Sequence, residues 1–269
     1  MPRIAAGDIQ INCESYGQGE PLLLIMGFGL PGIAWLPVLP FLPGFRCIYF
    51  DNRGTGNSDK PEGPYTIAEM ADDASNLLTA LGIRKAKVYG ISMGGMIAQE
   101  LVLLHPERVE RVVLGCTMAG GSTAVLASEE VYQKMNEAFV TMPANPERAL
   151  DIMMPLLFPP AFTLKHPELK AMMLAGFKMA PPTPPESIEW TRAAIVNFDA
   201  YERLPQVKCP VMIVHGDQDV LVPPENAALI KTRIPHAETF MIPEAGHSYG
   251  AADPVGIHQR ILSWLRKAD

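Results

Sequence analysis

A serine hydroxyl is a weak nucleophile unless a turn exposes it and a neighbouring base takes its proton. Gly90-Ile91-Ser92-Met93-Gly94 offers such a turn. Its G-x-S-x-G spacing alone is a weak signal, since chance produces roughly 0.1 such matches in a chain of this length. The setting is more specific. An apolar run over 88–91 precedes the motif and a segment of helical period follows it, which is the strand–turn–helix arrangement of a nucleophile elbow. Side chains at 90 and 94 would collide with neighbouring backbone in so sharp a turn. Ser92 is therefore expected at its tip, with Oγ accessible.

That hydroxyl needs a histidine and a carboxylate, and two later strand ends supply them. The run 211–214 leads into His215-Gly216-Asp217-Gln218-Asp219-Val220-Leu221-Val222-Pro223, and the run 239–242 into Pro243-Glu244-Ala245-Gly246-His247. In an open parallel sheet, active residues collect beyond the carboxyl ends of the strands. Ser92, Asp219 and His247 are accordingly expected along one edge as nucleophile, acid and base. Asp217 is expected to be a turn-former that bonds nearby amides. Among the other histidines, His105 and His236 adjoin prolines near element ends, His215 ends a strand, and His166 and His258 lie in helical or inserted segments. None has a setting comparable to that of His247.

A rival motif precedes these. Gly27-Phe28-Gly29-Leu30-Pro31-Gly32 fits G-x-G-x-x-G after a strand, and Asp51 ends the next strand where a ribose-binding acid would stand. A dinucleotide site needs a regular helix after the last glycine. Here Pro37, Pro40 and Pro43 interrupt that segment, and an interior proline costs a helix about 3 kcal/mol. No nucleotide, other cofactor or metal is expected. The cysteines (Cys13, Cys47, Cys116 and Cys209) form no C-x-x-C pair, and three lie in or beside apolar runs, where a reduced buried thiol is the expected state.

Short apolar runs at 9–16, 21–26, 45–50, 87–91, 111–116, 211–214 and 239–242 alternate with helical patterns at 66–81, 94–104, 225–233 and 254–265. Thr66 and Glu69 have capping-box spacing, and Gly82 is placed to end that helix. The alternation predicts an α/β fold with a mostly parallel central sheet flanked by helices. Between 118 and 201 there is no strand pattern; prolines are frequent, and eight of the 15 methionines lie there. This predicts a helical lid (118–201) inserted into a core formed by 1–117 and 202–269. The lid reads equally as plain packed helices or as an adaptable apolar pocket, because thioethers re-pack around differently shaped ligands. Trp35 and Trp190 are candidate pocket walls.

Composition sets wider bounds. The chain has 269 residues, 48% of them hydrophobic, and a net charge of -7, which excludes a disordered or collagen-like polymer. The acidic balance with no basic run argues against a nucleic-acid partner. No run reaches the roughly 18 apolar residues of a membrane span. Met1-Pro2-Arg3-Ile4 lacks the apolar stretch of a signal peptide, so a cytoplasmic protein is expected.

With these motifs in order, the sequence resembles the α/β-hydrolases, specifically the lid-bearing group with esterases, enol-lactonases and carbon–carbon bond hydrolases. The resemblance assigns Ser92 as nucleophile, Asp219 as the acid of a G-x-x-D-x-x-V-P stretch and His247 as base. Asp51-Asn52-Arg53-Gly54-Thr55-Gly56-Asn57-Ser58 matches the family's D-x-R-G-x-G-x-S loop, with Arg53 expected to pair with a carboxylate or carbonyl groups. Met26 departs from the pattern, standing where many relatives carry a histidine. The implied oxyanion donors are the backbone N–H groups of Phe28 and Met93. The implied substrate is a small or medium apolar ester; enol-lactone opening, carbon–carbon bond hydrolysis and cofactor-free perhydrolysis use the same residues. A ligand-sensing receptor that keeps the triad is the non-enzymatic alternative.

Overall fold

The structure, a computed structural model, describes residues 3–267. Eight strands form one sheet: β1 (Arg3–Ala6), β2 (Ile9–Tyr16), β3 (Glu20–Ile25), β4 (Phe45–Phe50), β5 (Ala86–Ile91), β6 (Val109–Gly115), β7 (Val211–Gly216) and β8 (Glu238–Ile242). Their order is β1-β2-β4-β3-β5-β6-β7-β8. The β1–β2 and β2–β4 pairs are antiparallel and all later pairs are parallel. This is the expected mostly parallel sheet. The short strand β1, whose residues are largely exposed, was not visible in the apolar pattern.

Alternate residues of the central strands feed two cores, because successive side chains of a strand point to opposite faces. Leu23, Ile25, Val88 and Ile213 pack on one face against α1 (Ile67–Ala80) and α2 (Met93–Leu104). Leu22, Leu24, Tyr89 and Met212 pack on the other, with Ile261 and Leu265 of the C-terminal helix. Helix α1 starts where its capping box predicts. Thr66 Oγ1 accepts from the Glu69 N–H at 3.1 Å, and Glu69 Oε2 accepts from the Thr66 N–H at 2.8 Å.

The segment between β6 and β7 leaves and re-enters the core at one neck. There the Ala200 N–H donates to the Ala119 carbonyl at 2.8 Å and the Gly121 N–H to the Phe198 carbonyl at 3.0 Å. Among the described residues it carries five α-helices: α3 (Glu129–Thr141), α4 (Pro146–Leu157), α5 (Pro160–Lys165), α6 (Glu168–Phe177) and α7 (Pro185–Val196). Pro146, Pro160 and Pro185 each open a helix, where a missing N–H costs nothing. Three of the prolines that obscured the pattern are thus helix starts, while Pro155 lies inside α4. After β7 come α8 (Glu225–Arg233) and α9 (Pro254–Leu265). No described helix is long and apolar enough to cross a membrane.

Cys13, Cys47 and Cys116 are buried, and none of the four cysteines is in a disulfide among the described residues. Burial pushes the Cys13 thiol up to about 12 and that of Cys47 up to about 11, which keeps both protonated and unreactive.

Candidate active site

Ser92 sits between β5 and α2 with φ 55° and ψ −123°, a backbone conformation that L-residues rarely adopt and that carries strain. A Cβ at Gly90 would overlap the Gly94 carbonyl oxygen, and one at Gly94 would overlap that of Ile25. Only glycine fits at either flank. The Ser92 N–H donates to the Gly115 carbonyl at the end of β6 (2.8 Å), and Thr117 Oγ1 donates to the Ser92 carbonyl (2.8 Å). The serine backbone is thereby sewn to the neighbouring strand end.

Asp219 and His247 meet at the same edge. Their loops are stitched together by the Asp217 N–H to the Ile242 carbonyl (3.1 Å) and the Gln218 N–H to the Ala245 carbonyl (2.9 Å). His247 Nδ1 lies 2.7 Å from Asp219 Oδ2. Asp219 Oδ1 accepts from the N–H groups of Leu221 (2.9 Å) and Val222 (3.0 Å). The turn-forming bonds expected of Asp217 therefore belong to Asp219, and Asp217 is exposed. Among the described residues no hydrogen bond joins the Ser92 hydroxyl to the imidazole. Asp219 and His247 are in contact, and the serine is set by its backbone. Cys116 also reaches this corner: its thiol lies within 4.8 Å of a His247 ring nitrogen and an Asp219 carboxylate oxygen.

The two partners shift each other's protonation. Burial opposes charge on Asp219, but the His247 imidazolium and the donors around its carboxylate hold it well below the usual carboxylate range. Burial likewise disfavours the His247 imidazolium, yet the Asp219 carboxylate, with Cys116 also at the ring, overrides it and raises His247 well above the ordinary 6.5.

The loop after β3 runs past the serine. A Cβ at Gly27 would lie 3.7 Å from Ser92 Oγ. Asn52 Nδ2 donates to the Met26 carbonyl (3.1 Å), which anchors this loop. Asp51 holds it from beneath, accepting from the Gly32 N–H (2.7 Å), the Asn57 N–H (2.8 Å) and Asn12 Nδ2 (2.9 Å). That carboxylate is fully engaged in structure, and two 3₁₀ turns, not an α-helix, follow the glycines. The Asp51–Ser58 loop is locked by Arg53, whose Nε and Nη2 donate to Asp73 at 2.6 and 2.8 Å.

Met93 opens α2, so its backbone N–H belongs to the first turn, where helical donors lack intrahelical partners. Phe28 packs against Phe139 of α3 (ring centroids 4.7 Å), and Thr183 Oγ1 donates to the Gly29 carbonyl (3.0 Å). The inserted helices thus rest on the loop that carries Phe28. Trp35 does not line a pocket. It is 1% exposed and packs on Tyr89 in the core, because the turn after Gly32 directs it under the sheet edge. Trp190 stands edge-on to Tyr65 and fills the space above Gly63, pinning α7 to the core.

His215 is the site neighbour that sequence reasoning passed over. Its Nε2 lies 2.8 Å from the Val222 carbonyl oxygen and 3.3 Å from Asp219 Oδ2. The available signal was its spacing: four residues before Asp219, at a strand end.

Residues 20–249 match the alpha/beta hydrolase fold family. The chain is 29% identical, over all of both chains, to a protein of Azorhizobium caulinodans assigned as carbamate hydrolase RutD. It is 30% identical to a protein of Mycobacterium tuberculosis assigned as non-heme bromoperoxidase BpoC, over 96% of this chain and 98% of that one. Among solved structures, the enol-lactonase from Burkholderia xenovorans superposes with a TM-score of 0.84 at 25% identity, covering 99% of this chain and all of that one. The chain belongs to the α/β-hydrolase fold family, as an enzyme of the hydrolase class.

Proposed function

We propose that this protein is a serine hydrolase that cleaves a small or medium apolar carboxylic ester through an acyl-enzyme. The observation that carries the reading is the 2.7 Å contact between His247 Nδ1 and Asp219 Oδ2. With Nδ1 committed to the carboxylate, Nε2 is the nitrogen left to take a proton from Ser92 Oγ. Asp219 fixes that tautomer and stabilises the imidazolium formed as Oγ attacks the ester carbonyl. The oxyanion is met by the backbone N–H groups of Met93 and Phe28, which need no reorganisation as charge develops; one such donor contributes about 2.7–4 kcal/mol in a comparable hydrolase. His247 then protonates the leaving alcohol, and water, deprotonated by the same imidazole, releases the acid. The 118–201 segment acts as a lid over this site, and no metal or cofactor enters the reaction.

Lactone opening is the second reading, favoured by the likeness to an enol-lactonase. It uses the same attack, with the leaving oxygen tethered to the acyl group. An organophosphonate probe followed by turnover of p-nitrophenyl esters and a lactone panel tests both. The proposal expects stoichiometric labelling at Ser92 and faster turnover of esters than of lactones. An unlabelled Ser92 in folded protein refutes the mechanism, and the reverse substrate order selects the second reading.

A further inference from the structure

We propose that His215 is a positioning residue, a second imidazole that braces the carboxylate of Asp219 for His247. The inference rests on the reading of Asp219 as the acid. His215 is completely buried near the end of β7, and its backbone is in register with Met241 of β8, so the ring springs from the rigid sheet and not from a loop. Its Nε2 faces both the Val222 carbonyl oxygen (2.8 Å) and Asp219 Oδ2 (3.3 Å). A carbonyl oxygen can only accept, so Nε2 carries the proton.

The other ring nitrogen decides what kind of donor this is. Among the described residues Nδ1 is buried without a hydrogen-bond partner. A proton placed there would have nothing to accept it, so the ring is a single neutral donor. That matters for the acid. A cation against Oδ2 would neutralise the charge that His247 needs, whereas a neutral N–H orients the carboxylate and leaves its charge available. Val222 closes the arrangement: its N–H donates to Asp219 Oδ1 (3.0 Å) and its carbonyl accepts from His215. Asp219 is thus held through both oxygens, and the turn that carries it is tied to β7. An apolar side chain would fill this space without an orphaned nitrogen, and a buried polar atom without a partner calls for a role beyond packing.

The test exploits side-chain length. The amide nitrogen of glutamine reaches where histidine Nε2 sits, and that of asparagine falls where Nδ1 sits. In His215→Phe and His215→Asn, kcat on an ester is expected to fall about a hundredfold, the scale of a 1 Å misplacement at an active site, with KM nearly unchanged. In His215→Gln most of kcat should return. Equal losses in all three, a raised KM in place of a lowered kcat, or an unchanged kcat in His215→Phe overturns the proposal. Nitrogen-15 NMR of labelled histidines in the native protein gives a readout that requires neither variants nor turnover. His215 must appear as the neutral Nε2–H tautomer, and a proton on Nδ1 overturns the brace. A protein that hydrolyses no ester, yet has this tautomer and a low-field His247 Nδ1 proton that His215→Phe abolishes, supports the brace and sinks only the hydrolytic reading.

Discussion

The carboxyl edge of the sheet and the helices that cross it are held in different ways. At the edge, each functional loop is sewn to its neighbour by backbone bonds: Ser92 to Gly115, Cys116 to Val214, Asp217 to Ile242 and Gln218 to Ala245. Glycines let the strands' extensions approach more closely than any side chain would allow. The 118–201 helices lack that stitching. They meet the edge through side chains, such as Phe139 on Phe28, and through single bonds such as the Ser248 N–H to the Leu157 carbonyl (3.0 Å). Their outer surface leaves Leu164, Val140 and Met172 at 83%, 74% and 60% exposure. Rigid geometry, which bond-making chemistry requires, is concentrated in the first region; the second supplies shape and can vary at little cost.

The widest gap between the regions should appear on removing the nucleophile. Ser92→Ala is expected to lower kcat by on the order of a millionfold, the scale of a nucleophile knock-out in another serine hydrolase, and to abolish organophosphonate labelling. Circular dichroism should remain native, because the elbow is held by Gly90, Gly94 and backbone bonds. Residual labelling in this variant would move the chemistry away from the edge.

Asp219→Asn comes next, with kcat expected to fall about ten-thousandfold, as when a triad aspartate loses its charge but not its shape. Exposed Asp217→Asn should leave it unchanged. The same variant tests the base. Only neutral His247 can accept the serine proton, and Asp219 raises its pKa, so kcat/KM should climb with pH through a midpoint above 6.5. Without the carboxylate, the largest influence that holds the proton is gone while burial still favours the neutral ring, so the midpoint should move to lower pH in Asp219→Asn. A shift to higher pH would show that the carboxylate is not what holds the proton on His247.

A third effect is on stability and not on chemistry. Arg53 and Asp73 are a buried, bidentate pair that clamps the Asp51–Ser58 loop to α1. Arg53→Ala strands a buried carboxylate and is expected to cost about 3–5 kcal/mol in denaturant unfolding. A loss below 1 kcal/mol would mean that the edge does not depend on this clamp.

The same division explains what could be read from sequence. Strands β2 to β8 and helices α1, α2, α8 and α9 follow from apolar or alternating runs, caps and glycines, signals confined to a few consecutive residues. The Ser92, Asp219 and His247 assignments use spacing of the same short range. Trp35 was misjudged because an aromatic residue after a glycine loop carries no mark of which way it turns, and here it turns into the core. His215 was passed over because its value lies in a contact with Asp219, which only the turn through Val222 creates. In the 118–201 segment, α6 has no buried residue and α3 only Ala138, so neither core-facing stripe could be read along the chain.

The smallest effects should come from that outer surface, and they sharpen the comparison most. Leu164→Ser and Met172→Ser alter exposed side chains on short helices and should change stability by no more than about 0.5 kcal/mol, leaving KM unaltered. Phe139→Ala, on the same segment but against Phe28, should raise KM severalfold and lower kcat less, because it removes an apolar wall beside the loop that carries Phe28 without touching the stitched edge. The three variants separate two meanings of a tolerant region. If Leu164→Ser raises KM as much as Phe139→Ala does, substrate binding depends on the whole helical segment moving as a unit. If only Phe139 matters, substrate contact is confined to the face that rests on Phe28, and the exposed residues are free to vary because no step of the reaction reaches them.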